Sequence, residues 1–313
     1  MSSRNPLYVV VFRASSRVQI RHLNAICSSR NGKAVIAIPF SPSRRADGKP
    51  EIPRPQPALF SPRCGAKHPP VEPAEYDLMD AVEQRMWWYR ALHLRVLDTL
   101  HRRPGTPGAL LDAGCGTGGL LLQLAGKSRR ALVGLDFNPE AARRAGAKSG
   151  ALTLGGDANR LPFAAQSFGA LVSLDVLCHR AVEPGLALAE FHRVLQSGGT
   201  LVLNLPAFDW LHSAHDIRVH NARRFTAAEA RALLEQAGFT AIEARYWNAL
   251  LLPLMILQRK ILKSDSEAKS DVAPFPPWLD AMLYAVTGLE RWLARIGLRY
   301  PAGGSVLVIA TRP

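Results

Sequence analysis

The chain has 313 residues, 48% of them hydrophobic, and a formal net charge of +14. That is enough for one large or two small domains with a substantial core, and no apolar run approaches the roughly 20 residues that span a bilayer. The charge is lopsided: residues 1–70 hold twelve Lys/Arg against Asp47 and Glu51, so this segment carries +10 and only +4 remains for the rest. The basic excess therefore argues against a nucleic-acid surface on the following domain and makes nucleic acid an unlikely partner.

Cys27, Cys64, Cys115 and Cys178 form no CxxC pair and no metal-ligand spacing. No metal site is expected, and a reducing, cytoplasmic setting fits this usage. The short run Leu7–Phe12 lacks the flanks of a secretory signal.

Residues 1–71 are rich in Pro, Arg and Ser with weak periodicity. They read as a basic, mostly disordered segment, with short strands at Tyr8–Phe12 and Ala34–Ile38. From Glu72 the patterning becomes that of a folded domain, 72–313. Trp88, Leu92, Val96 and Leu100 recur every four residues and mark a helix face, either a roof over a ligand pocket or simply core. Leu110-Leu-Asp-Ala-Gly-Cys-Gly-Thr-Gly-Gly119 then reads as a buried strand ending in an acid, a glycine turn and the start of a helix.

The alternation continues as strands at 110–114, 131–136, 151–155, 169–174, 200–205 and 241–247, with helices at 118–126, 139–147, 183–196 and 227–237. This is a βαβ series, hence an α/β fold with a doubly wound, mostly parallel sheet. Thr226 and Glu229 form a capping-box signature for the helix at 227–237, with Gly238 after its last turn. Ser305–Thr311 is the last predicted strand.

Residues 248–304 stand as an apolar helical insertion before that strand. Ala249–Leu257 is nearly all apolar, and Leu279, Met282, Leu283, Val286, Leu289, Leu293 and Ile296 make a helical stripe. Lys260, Lys263, Arg291 and Arg295 flank these runs. The insertion is expected either to pack as an extra layer or to serve, through 249–296, as a peripheral membrane contact.

A glycine turn alone indicates only a nucleotide-like ligand, and Gly114, Gly116 and Gly119 even satisfy the dehydrogenase spacing. Three motifs in order are more specific: Asp112-Ala-Gly-Cys-Gly-Thr-Gly118, Gly134-Leu-Asp-Phe-Asn-Pro-Glu140 and Gly156-Asp-Ala-Asn-Arg-Leu-Pro-Phe163. In this order and spacing the chain resembles a class I S-adenosylmethionine (SAM)-dependent methyltransferase, of the subgroup that includes the quinone-biosynthesis enzymes. The resemblance covers about residues 80–247 and the last strand. It implies a seven-stranded Rossmann-like sheet with an antiparallel last strand, and SAM as cofactor.

At matching positions the resemblance also implies roles. Gly114, Gly116 and Gly118 would approach the methionine part of SAM, and Asp112 its ammonium end. Asp136 would hold the ribose diol and Phe137 would pack on the adenine. Asp157 and the Ala158 amide would meet the adenine edge, and Asp175 would complete the cofactor set. Relatives often read Ser-Phe-Asp where this chain has Ser167-Phe-Gly169.

Candidate catalytic residues lie on two segments at the carboxyl ends of strands, where open α/β sheets bind ligands. One is Asp175–His179. The other runs from Pro206 to Arg224 and includes His212, His215, Asp216 and His220. His215 with Asp216, or His179, would serve as the base. Alternatively the second loop is structural, or its histidines with Asp216 hold a metal. Arg223 and Arg224 would grip an anionic acceptor or stand as solvated charges. No Asn/Asp-Pro-Pro-Tyr follows the fourth strand, which argues against amino-methylation of DNA. The expectation is an enzyme that methylates O or C of a small, hydrophobic or lipid-like acceptor. A nucleic-acid methyltransferase with a basic arm, or a non-catalytic SAM-binding protein, are the alternatives.

Overall fold

A computed structural model describes residues 7–13, 26–30, 33–39, 73–213, 216–217, 219–257 and 275–313. His215, Lys260 and Lys263 lie outside these residues.

The first described segments are strands, two of them where short strands are expected. Strands β1 (Leu7–Arg13), β2 (Ile26–Arg30) and β3 (Lys33–Pro39) form an antiparallel sheet in the order β1-β3-β2. The runs Val9-Val-Val11 and Val35-Ile36 are β-branched and suit a pleated sheet. β2 and β3 pair antiparallel, with Arg30 opposite Lys33.

The domain begins with helices α1 (Pro73–Val82) and α2 (Trp87–Arg102). The alternating series follows: β4 (Ala109–Ala113), α3 (Gly119–Ala125), β5 (Leu132–Asp136), α4 (Pro139–Ser149), β6 (Leu152–Gly155), β7 (Phe168–Leu174), α5 (Pro184–Val194) and β8 (Leu195–Pro206). Then come α6 (Ala227–Gln236), β9 (Thr240–Trp247), α7 (Leu252–Ile256), α8 (Pro277–Arg295) and β10 (Ser305–Thr311).

The seven strands lie in the order β6-β5-β4-β7-β8-β10-β9. Pairing is parallel from β6 to β8, and β10 runs antiparallel to both β8 and β9. The doubly wound, mostly parallel architecture is thus present, with chain order reversing outward from β4. β4 is buried along its whole length, as expected for a strand covered on both faces. On one face, Phe168, Leu171, Phe191, Leu203, Leu234 and Val308 share a core. On the other, Leu92 and Val96 of α2 pack with Leu110, Val172, Val202 and Trp247, so the periodic face of α2 is core.

Local signals fixed several element ends. Thr226 accepts from the Glu229 amide while Glu229 reaches back to the Thr226 amide, completing the capping box of α6. Asn138 caps α4, and Pro139 starts it. At Gly169 a side chain would collide with the Thr106 carbonyl. Arg130 donates to the carbonyls of Thr106 (2.8 Å) and Gly108 (3.1 Å) in that corner, which accounts for glycine in place of the usual acid.

Helix α8 of the insertion packs on α2 and holds the turn after β9, and it buries only part of the predicted stripe. α8 buries Leu283, Thr287 and Glu290, whereas Met282, Leu289 and Ile296 of the stripe are exposed. Glu290 explains the choice. Its carboxylate accepts from the amides of Asn248 (2.7 Å), Ala249 (2.6 Å) and Leu250 (3.1 Å), and from Arg95 at 3.0 Å. Those amides form the turn after β9, and only an acid facing inward satisfies them. Arg291 and Arg295 both pair with Asp98 of α2. Among the described residues no helix is long and apolar enough to cross a membrane.

Candidate cofactor and acceptor site

The glycine turn between β4 and α3 is built as the sequence requires. Gly114, Gly116 and Gly118 take φ of 89°, 52° and 91°. A Cβ at Gly114 would collide with Val176, and one at Gly118 would fall 2.6 Å from the Ala145 backbone. Glycine is therefore demanded at both positions by conformation and by space.

Asp136, at the end of β5, reaches across to this turn. Its Oδ2 accepts from the Gly116 amide (2.8 Å), and its Oδ1 from the Asn138 amide (2.9 Å) and the Tyr76 hydroxyl (3.3 Å). Burial raises its pKa against the opposing pull of those three donors. Asp112, at the end of β4, is buried as well. Loss of water, then the charges of Asp136 and Glu83, push its carboxyl up to about 8.

Glu83 forms the third side of this acid cluster. It accepts from the Gly119 amide (3.1 Å) at the start of α3 and from the Thr117 hydroxyl (2.9 Å), and it pairs with Lys148. Burial raises its pKa, and Lys148 opposes the shift. An acid at a helix N-terminus also complements the positive end of the helix dipole. Sequence reasoning missed Tyr76, Met79 and Glu83. Their recurrence at three and four residues on one helical face was the available signal.

Asp157 and Ala158 follow β6. The Asp157 side chain accepts from the Asn159 amide and side chain, both at 2.9 Å, and Ala158 is buried beneath it. Phe137 is partly exposed just beyond β5.

The two segments suspected of catalysis are brought together. Arg180 N donates to His220 O (2.9 Å) and Ala222 N to Cys178 O (2.8 Å). Arg223 donates to the carbonyls of Leu177, His179 and Val182. Asp175 follows β7 with φ of 53°, a left-handed conformation uncommon outside glycine. Both its oxygens accept from Asn204 Nδ2 at 3.0 Å. Asn204 in turn accepts from Trp247 Nε1 (2.8 Å), and Trp247 stacks against Trp88 and carries Arg95 over its ring. Burial lifts the Asp175 carboxyl to about 7, with Asn204 and Arg224 resisting. Val176 against Gly114 places this segment beside the glycine turn.

The polar side chains of the loop are bonded within it and to the segment after β7. Asp216 is fully buried and accepts from Arg224 Nη2 with both oxygens (2.9 and 2.8 Å), from Ser213 N (2.8 Å) and from Asn221 Nδ2 (3.1 Å). Burial alone would raise its pKa, but Arg224 and these donors hold it at about 2. These bonds tether the loop through Asp216. Arg223 and Arg224 are likewise spent on loop carbonyls and Asp216, so neither stands free for an anionic acceptor. Among the described residues no group of His, Cys, Asp and Glu is arranged to hold a metal. Cys178 is buried, and its thiol donates to Asp175 O and Asn221 Oδ1.

His179 is differently placed. Its Nδ1 lies 2.9 Å from Val219 O. A carbonyl can only accept, so Nδ1 carries the hydrogen and Nε2 keeps a lone pair. Burial, with a smaller push from His220, lowers its pKa against the Val219 bond and so favours the neutral ring.

Comparison with known proteins agrees with this geometry. Residues 111–203, from β4 through most of β8, match the family model described as a methyltransferase domain. The malonyl-[acyl-carrier protein] O-methyltransferase of Geobacter sulfurreducens is 30% identical over 187 residues, 54% of this chain and 67% of that protein. The 24-methylenesterol C-methyltransferase 2 of Oryza sativa subsp. japonica is 32% identical over 126 residues, 37% of this chain. The match spans only 32% of that rice protein's length. Phosphoethanolamine N-methyltransferase 2 of Haemonchus contortus, solved with SAM, shares the fold at a TM-score of 0.52 and 15% identity, over 90% of this chain and 63% of that one. With the ordered motifs, the strand order and these relatives in agreement, the chain belongs to the class I SAM-dependent methyltransferases.

Proposed function

We propose that the chain transfers the methyl group of SAM to an oxygen or carbon of a small, hydrophobic or lipid-like acceptor. The observation that carries the cofactor half is the cluster of Asp112, Asp136 and Glu83 around the glycine turn. SAM brings an ammonium and a sulfonium, and Asp112 at about 8 is a buried carboxyl short of positive charge. A cationic ligand there favours the ionised form.

In this reading Gly114, Gly116 and Gly118 line the methionine part, and Asp112 faces its ammonium. Asp136 takes the ribose diol, whose hydroxyls replace the long bond from Tyr76. Phe137 covers the adenine, and Asp157 and Ala158 meet its edge. Asp175, beside Gly114 through Val176, closes the donor side. SAM supplies an activated methyl group, so the protein has to align the acceptor and, where needed, remove its proton. We assign that proton to His179 Nε2, the nitrogen that Val219 leaves free. His215 remains a second candidate outside the described residues, and Asp216 orients its loop.

The acceptor half draws support from the relatives, one named for a sterol and one for an acyl-carrier substrate, and from the apolar insertion. The same reading takes residues 249–296 as a peripheral contact with the membrane that holds such an acceptor.

Calorimetry with S-adenosylhomocysteine tests the cofactor site. Asp136→Ala is expected to weaken binding by roughly 1.5–3 kcal/mol, the loss of charge-assisted hydrogen bonds. Unchanged affinity would sink the role of Asp136. Mass spectrometry of extracts incubated with isotopically labelled SAM then identifies the acceptor. A labelled oligonucleotide, or no product at all, would overturn the acceptor class.

A further inference from the structure

Helix α8 is apolar on two faces. Its inward positions include Leu283, Thr287 and Glu290, with Leu279, Asp280 and Val286 beside them, and its outward line runs Trp278, Met282, Ala285, Leu289, Trp292 and Ile296. These recur at alternating steps of four and three, which is one face of a helix. Trp278, Trp292 and Ile296 are 69%, 55% and 65% exposed. Both acids of the helix are turned away: Asp280 accepts from the Trp87 amide at 2.7 Å, and Glu290 is buried in the turn after β9. Beside this line, Leu251 of the α7 turn packs in one cluster with Leu283, Leu279 and Val286, while Leu254 and Leu257 are exposed. Such a continuous apolar surface marks a docking face on a protein otherwise able to bury its core.

We infer that this face docks on an anionic lipid bilayer, with the α8 axis in the plane of the interface. The inference rests on the lipid-like-acceptor reading for its purpose, and on three features of the face for its occupant. First, tryptophans stand near both ends of the line, about 21 Å apart along the axis. Tryptophan favours the headgroup level of a membrane. Second, the charge at its C-terminal rim is basic. Arg299 is exposed there with no exposed acid of α8 beside it, while Arg295 is exposed but already pairs with Asp98 of α2. That rim is complementary to anionic headgroups and repels its own copy in another molecule. Third, the helix is anchored from behind by Glu290, Arg291 and Arg295, which hold Arg95, Asp98 and the β9 turn. The apolar line is therefore presented rigidly, with its own polar contacts already made.

The test is co-sedimentation of the full chain with phosphatidylcholine vesicles containing phosphatidylglycerol, against phosphatidylcholine alone. The wild type should sediment with the anionic vesicles and be released by salt. Trp278→Ser combined with Trp292→Ser should weaken binding by about tenfold or more, and Arg299→Gln by about fivefold. All three side chains are exposed, so circular dichroism and S-adenosylhomocysteine affinity should match wild type. A wild type that ignores anionic vesicles overturns the inference. So does a concentration-dependent dimer that the tryptophan variant dissociates, because the occupant is then a second copy. Vesicle binding together with a water-soluble labelled product would overturn the acceptor reading and leave the docking face standing. A lipid-soluble product from a protein that ignores vesicles would overturn the docking face alone.

Discussion

Asp112 occupies a position that is costly in the absence of a cation. Its carboxyl titrates near 8 in the folded chain against about 3.9 when unfolded. Between those values the folded state binds the extra proton, so stability falls as pH rises from about 4 to 8 and then levels. Asp112→Asn removes the group that must ionise. The variant is expected to be more stable than wild type by roughly 3–6 kcal/mol at pH 8, with the gap shrinking toward pH 4. Denaturant melts across that range check it, and a gap independent of pH would show that the carboxyl is not perturbed. The same variant should bind S-adenosylhomocysteine, which keeps the ammonium, more weakly than wild type. Cation binding should also release a proton below pH 8, visible in calorimetry across buffers of different ionisation enthalpy. Asp216 is the opposite case. Held at about 2 by Arg224, its stabilising contribution is present above about pH 4 and is lost only as pH falls through 2.

Two elements are held by single buried acids, and each gives a sharp expectation. Asp216→Asn leaves Arg224 buried beside a neutral group, which costs about 3–5 kcal/mol. Its melting temperature should drop, while the remaining folded protein binds S-adenosylhomocysteine normally, because Asp216 bonds within the 207–225 loop and makes no contact with the glycine turn. A variant as stable as wild type would contradict the buried pair. Glu290→Ala strands Arg95 and three amides at residues 248–250, also at a cost of about 3–5 kcal/mol. Hydrogen exchange should accelerate first at Asn248, Ala249 and Leu250, ahead of β4 and β7. Uniform acceleration would mean that the insertion and the sheet unfold as one unit.

At the scale of the whole molecule, the boundary near residue 72 is separable from the role of α1. Tyr76 reaches Asp136, and Glu83 holds Gly119 and Thr117. A chain beginning at Glu72 keeps these contacts and should melt and bind S-adenosylhomocysteine like the full chain. One beginning at Met86 loses α1, the Glu83–Lys148 pair and the cover over Gly116, and should lose both stability and affinity. Equal behaviour of the two truncations would show that α1 is dispensable. A much lower melting temperature from the Glu72 start would place residues 1–71 within the domain.

The sheet and the glycine turn were legible in the sequence because their causes are local. Leu110-Leu111 followed by Asp112 and glycines at 114, 116 and 118 can be satisfied by few backbones other than a buried strand stopping at a positive-φ turn, and Asp136 and Asp157 stand at the next two strand ends by the same spacing. Capping at Thr226 and Asn138 is also decided within four residues. Tertiary structure decided what distance along the chain conceals. The ion pair of Asp216 with Arg224 could not be read from the sequence, which offered Asp216 as a partner of His215 or as a structural part of the loop. The apolar stripe of α8 could equally be a packed layer or an outer surface until three amides after β9 drew Glu290 inside and Trp278 and Trp292 stood out. Tyr76 and Glu83 gained their place at the site only because α1 folds back over a turn more than thirty residues away. In each case a buried polar group had to find a partner remote in sequence, and that demand overrode local periodicity.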